Sequence, residues 1–243
     1  MVTSPRRSDG VNQADRTWGG ALVTVGLILF IGGVLVHLVG QGADGPPEGG
    51  TAEQVAAHNA AQPRLHELTS YSRAVGLVAA GLGSLLLSMS TGDRSMAGRP
   101  GWLAAGVGAV VFSTVVMVRA TALVPLAQDF TANPQLFESW SRALTGLFGL
   151  FALTMMVGFG LALVAEARRS APRARRVACW VGAAGFLGAA TEPVGVLSGL
   201  ALAGPWTGVG LLIGVLSVIW LGAAIALTDL RSRKRLSAAD APA

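Results

Sequence analysis

The feature that most constrains this chain is the length of its uncharged blocks. No Asp, Glu, Lys or Arg occurs from Thr17 to Ala43, Ala74 to Gly92, Pro100 to Val118 or Ala143 to Ala165. The stretch from Val177 to Thr228 holds a single charge, Glu192. A helix crossing the bilayer core needs about 20 mostly apolar residues. Water offers no way to cover such blocks. Charged residues make up 13% of the chain and hydrophobic ones 52%, against about 25% charged in a soluble domain. These numbers exclude a soluble globular, a disordered or a disulfide-rich secreted chain. They predict an all-α fold, a polytopic transmembrane helix bundle. The single Cys179 rules out a disulfide within the chain.

The blocks place spans at about residues 18–40, 74–92, 101–123 and 143–165. The last block is too long for one helix. The turn signal Gly204-Pro205 splits it into about 177–202 and 206–227. Residues 18–227 then form a six-span domain, flanked by an N-terminal tail, 1–17, and a basic tail, 228–243. The first apolar run exceeds the signal-peptide core of about 7–15 residues, so it is expected to be retained as a span.

Arg and Lys set the orientation. Every basic residue but Lys234 is Arg. They cluster in the N-terminal tail (Arg6, Arg7, Arg16), in the span 2–3 loop (Arg94, Arg99), over Arg168–Arg176, and in the C-terminal tail (Arg231, Arg233, Lys234, Arg235). The opposite side holds Arg64, Arg73 and Arg142. Both termini are therefore expected in the cytoplasm, in a multi-pass protein of a bacterial inner (plasma) membrane. The net charge of +5 reflects this patterning and not a nucleic-acid surface, because no extramembrane stretch is long enough for a binding domain. The bilayer is the expected partner, with homo-oligomer contact a further possibility.

The outer loop, residues 41–72, opens with turn formers through Gly50. Thr51–Ala61 then reads as a short helix, with Thr51 as N-cap, Gln54 three residues on, and Pro63 ending or bending it. Inside the bundle, Gly195/Gly199, Gly210/Gly214 and Ala104/Gly108 have the four-residue spacing that lets helix backbones approach closely. Trp18, Trp102, Trp140, Trp180 and Trp206 fall near span ends and are expected at the interface, with Trp220 packed inside.

Most intramembrane chemistries lack their residues here. Serine proteolysis and haem ligation need intramembrane histidines. Of His37, His58 and His66, only His37 falls in an expected span. An Asn-Pro-Ala pair is absent, and no acid cluster marks a magnesium-dependent transferase. Zinc ligation by the three histidines is left without a signature spacing. No metal and no cofactor is expected.

Arg119 and Glu192 are the informative residues, because ionisable groups inside spans are costly and mark pairs, water-filled paths or binding sites. At about 1.5 Å per residue, Arg119 lies about 27 Å, Glu192 about 22 Å and His37 about 28 Å from the inner ends of their spans. Pro193 should kink span 5 beside Glu192, and Thr191 adds a hydroxyl. Three arrangements satisfy these residues: snorkelling of Arg119 with Glu192 bonded locally, a structural ion pair, or an outward-facing polar pocket. The third makes Arg119, Glu192, His37 and Thr191 substrate-binding residues for a small or lipid-like molecule. Its rivals are an intramembrane enzyme acting on a lipid or isoprenoid, with Glu192 as the general acid, and a structural or regulatory membrane partner.

The layout resembles a family of bacterial six-span integral membrane proteins of unassigned activity. The resemblance spans about Trp18–Leu227. It rests on Arg119 in span 3, on Pro172-Arg173 before Trp180 and Gly182, and on Trp220-Leu221 in span 6. It implies the six-span fold and no activity.

Overall fold

The computed structural model describes residues 8–41, 50–90, 98–169, 172–200 and 205–239. These residues form helices and short connections, with no strand among them. The elements are α1 (Ser8–Gln41), α2 (Ala52–Ala61), α3 (Pro63–Ser90), α4 (Gly98–Val118), a π-helical turn (Arg119–Leu123), α5 (Val124–Gln128), α6 (Pro134–Arg168), α7 (Arg173–Ala189), α8 (Thr191–Ser198) and α9 (Pro205–Ala239). Among the described residues, six helices are long and apolar enough to cross a membrane: Ala14–Gly40, Pro63–Ser90, Gly98–Gln128, Pro134–Arg168, Arg173–Ser198 and Trp206–Thr228.

The spans close into a ring. α1 packs on α3, α3 on α4, α4 on α6, α6 on α7, and α7 on α9, which returns to α1. Six crossings bring the start of α1 and the finish of α9 to the same end of the bundle. That is the terminal end, and α2 lies at the other. Lipid tails are as apolar as Leu, so helices in a bilayer gain from close van der Waals contact and not from exclusion of water. The ring meets this need with glycine. A Cβ on Gly26 of α1 would stand 2.5 Å from the Gly76 carbonyl oxygen of α3, and one on Gly185 of α7 would stand 2.6 Å from that of Gly210 on α9. Either substitution would drive the backbones apart. On α9, Val215, Val218, Leu221 and Ile225 face inward, while Val209, Leu212, Leu216 and Trp220 lie exposed on the opposite stripe. A bilayer, unlike water, accepts that second stripe.

At the terminal end the interior is filled. Trp102, Phe159 and Phe186 are fully buried. Trp102 meets Phe159 edge-on at 6.1 Å, and Phe159 stacks on Phe186 at 5.6 Å. Beside them Glu166, also buried, receives hydrogen bonds from Arg169 and from Arg175 at 3.1 Å. One carboxylate thus ties the end of α6 to the start of α7.

Several local expectations meet a different structure. Helix α3 starts at Pro63 and not near residue 74, so the last part of the expected outer loop is helical. Proline is well tolerated in a helix's first turn, where its missing N–H is no loss. The α2 helix carries the capping box read from Thr51 and Gln54, with both reciprocal bonds present. Gly199 is not a packing residue. It is exposed, has no neighbour within 4 Å of a Cβ position, and closes α8 at φ 71°. Against α6 the small-residue row is Gly101, Ala105 and Gly108, one step off Ala104/Gly108; Gly158 abuts Ala105. Trp102 is 1% exposed and Trp220 44%, so the expected roles of these two indoles are reversed. The expected turn formers from residue 42 to 49, the Arg94 loop and Gly204 lie outside the described residues, as do the side chains of Arg231, Arg233, Lys234 and Arg235.

Candidate functional site: a central amphipathic cavity

The ring encloses a cavity of about 630 Å³. All six spans contribute to its wall, and α2 covers it through Val55 and Asn59. At about 30 Å³ per liquid water molecule, the volume corresponds to about twenty waters, within the range of about 300–1,000 Å³ for small-molecule sites. A pocket of about 290 Å³ between α2 and the start of α6 shares Val55 and Ser141 with it.

Local helix irregularities present the charged groups. Pro125 has no N–H to donate to the Thr121 carbonyl, so the helix cannot keep its regular ladder there. The ladder widens instead, and the Val124 N–H donates to the Arg119 carbonyl five residues back. Such π-turns re-aim side chains and recur at functional sites. This one sets Arg119 in the cavity wall. Arg119 lines the void and keeps exposed surface.

A second interruption positions Glu192. The α7 helix ends at Ala189, and a turn at Ala190 precedes α8, which carries Pro193. The Thr191 hydroxyl donates to the Gly188 carbonyl at 2.7 Å, satisfying an acceptor at this break. Glu192 and Pro193 line the cavity. Neither the Glu192 nor the Arg119 side chain has a hydrogen-bond or ion-pair partner among the described residues.

The structure therefore brings Arg119 and Glu192 to one cavity without a direct ion pair. It does not bring His37 or Thr191 into that wall. The Thr191 hydroxyl is occupied by the Gly188 carbonyl at the end of α7. The His37 Nδ1 lies 3.3 Å from the Thr69 hydroxyl, and its ring meets His66 edge-on at 4.7 Å. His58 of α2 approaches His66 at 6.3 Å. The three histidines converge outside the cavity lining. Among the described residues no group of three His, Cys, Asp or Glu side chains is set to hold a metal ion.

Arg73 is a cavity residue that sequence reasoning left at a span end. Its Nε donates to the Thr69 carbonyl and its Nη2 to the Ser70 hydroxyl, each at 3.1 Å. Arg73 and Ser70 both line the void. The signal was Pro63: a helix beginning there carries Arg73 almost three turns into the bundle. Asn59 is a second addition. It is buried, its Nδ2 donates to the Val55 carbonyl at 2.7 Å, and its Oδ1 has no partner.

The wall is graded along its length. Down α6 from the α2 end the lining runs Ser141, Leu144, Thr145, Phe148, Ala152, Met155 and Met156. On α4 it runs Phe112, Val115 and Val116 toward Arg119. Charge, hydroxyl and amide thus occupy the α2 end, and apolar groups the deeper part. Among the described residues, the lining contains no His, no Cys and no carboxylate besides Glu192.

No protein-family model, no curated protein and no solved structure matches the chain. What the fold supports of the resemblance noted above is the six-span architecture.

Proposed function

We propose that this is a multi-pass protein of a bacterial inner membrane, with both termini in the cytoplasm. It binds, and helps to move, a small amphiphilic molecule through a cavity that opens outward. The observation that carries the reading is the graded cavity: one chamber lined from six spans, polar at the α2 end and apolar toward the terminal end. An ordinary packed bundle has no use for such a space, because every unfilled volume forfeits dispersion contacts. Arginine, serine and asparagine at one end and phenylalanine and methionine at the other suit a molecule with the same polarity. The orientation rests on the arginine distribution.

The test is a cavity-filling variant. Ala152 is fully buried in the cavity wall, and Ala152→Trp would occupy the apolar part. Protein purified from its native membrane should carry a bound amphiphile detectable by native mass spectrometry. The variant should lose it while keeping its helical content. Equal occupancy in both, or none in the wild type, would overturn the reading.

A second reading keeps one specific observation: Glu192 lines the cavity without a partner, as a general acid would before substrate arrives. Chemical conversion of the bound molecule by purified protein, abolished in Glu192→Gln, would favour that enzyme over a binding or transport protein.

A further inference from the structure

The charge balance of the cavity points to the head group of its occupant. Arg73 and Arg119, on different helices, front the same space. No carboxylate lies within ion-pair distance of either among the described residues. Glu138 is engaged with Arg142 at 3.0 Å, outside the cavity lining. Glu192 shares the chamber at a remove. Two guanidinium groups at membrane depth without a counter-ion are costly, and proteins resolve that cost by pairing.

The two groups are prepared differently. Arg73 is fixed by the Thr69 carbonyl and the Ser70 hydroxyl, leaving Nη1 free. Arg119 has its whole fork free. One arginine fork saturates the two oxygens of a carboxylate. Two arginines on different helices suit a phosphate, which has oxygens enough for both. The unpartnered Asn59 Oδ1 adds a buried acceptor on the covering helix.

We infer that Arg73 and Arg119 form a two-guanidinium cradle for the phosphate head of a single-chain lipid, whose tail lies among Phe148, Met155 and Met156. This rests on the cavity reading above. From Ser141 to Met156 the lining extends about 22 Å along α6 at 1.5 Å per residue. That length gives room for one extended chain beneath the head.

The test is equilibrium dialysis of radiolabelled dodecyl phosphate against the full chain in a bulky neutral detergent. Dodecanol, dodecanoate and inorganic phosphate serve as competitors. Dodecyl phosphate should be retained. Dodecanol and inorganic phosphate at equal concentration should fail to displace it, and dodecanoate should compete weakly. Arg73→Gln and Arg119→Gln should each weaken retention about tenfold, the usual effect of losing a charged hydrogen bond. Arg119→Lys should recover part of the loss, which separates charge from misfolding. Retention unchanged in both Gln variants but lost in Ala152→Trp would end the cradle and leave the cavity reading intact. Retention unchanged in Ala152→Trp would end both. Displacement by inorganic phosphate alone would assign the cradle to a free anion and overturn the lipid.

Discussion

Glu166 offers the sharpest test of the bundle's construction. Its side chain is 4% exposed, and its partners Arg169 and Arg175 are 28% and 21% exposed. Glu166→Ala would leave two largely buried guanidinium groups without their carboxylate. Breaking a fully buried pair by removing one partner costs about 3–5 kcal/mol. Both arginines keep an edge toward solvent and would recover part of their hydration there, so the expected loss is about 2–3 kcal/mol. Glu166→Gln keeps an acceptor oxygen and loses only charge, for an expected loss of about 1–2 kcal/mol. Arg175→Gln combined with Glu166→Gln should cost less than the two changes added, because the second removes a charge that the first has stranded. The measurement is loss of helicity during denaturing-detergent titration of protein in mixed micelles. A loss below about 0.5 kcal/mol for Glu166→Ala, the level of an ordinary surface substitution, would refute the claim that this carboxylate ties α6 to α7.

Two glycines separate packing from backbone strain in the same assay. Gly185→Leu should cost about 1–3 kcal/mol or more by overpacking, because its Cβ would meet the Gly210 carbonyl oxygen at 2.6 Å. At Gly199 the φ of 71° is the constraint and the surroundings are open; Gly199→Ala and Gly199→Leu should therefore cost the same, about 1–2 kcal/mol. A larger loss for leucine would restore a packing role there. For topology, single cysteines in a Cys179-free background should react with an impermeant reagent from outside intact cells along Ala52–Ala61. Cysteines near Arg169 should react only after lysis, and external labelling there would invert the proposed orientation.

Much of this architecture is legible in the sequence, because bilayer crossing is dictated by charge gaps that local detail cannot override. Depth arithmetic also brings Arg119 and Glu192 to comparable heights, and the structure sets both in one wall. What escapes is which way each residue faces. Arg73 is hidden by a helix that begins at Pro63, inside a stretch polar enough to read as loop. The π-turn follows from Pro125, but a proline in a span equally permits a plain kink. Glu166 merges with the five arginines after it, although an acid one turn before such a run is itself a signal for a buried clamp. Trp102 and Trp220 differ in helix face, which apolar sequences scarcely encode when both faces are hydrophobic. Gly199 shows the same limit: spacing cannot distinguish a contact glycine from one that ends a helix.

The ring has a consequence for how the molecule comes into being. Its closing seam joins the first and last spans, where the Thr24 hydroxyl of α1 reaches the Ile219 carbonyl of α9 at 3.3 Å. Every other neighbouring pair in the ring follows in chain order. Spans entering a membrane one after another would build an open arc, its two flanks waiting for a single late partner. The chamber has no complete wall until that arc shuts, since Leu211 of α9 supplies part of it. Binding competence should therefore emerge in one step, with the arrival of α9.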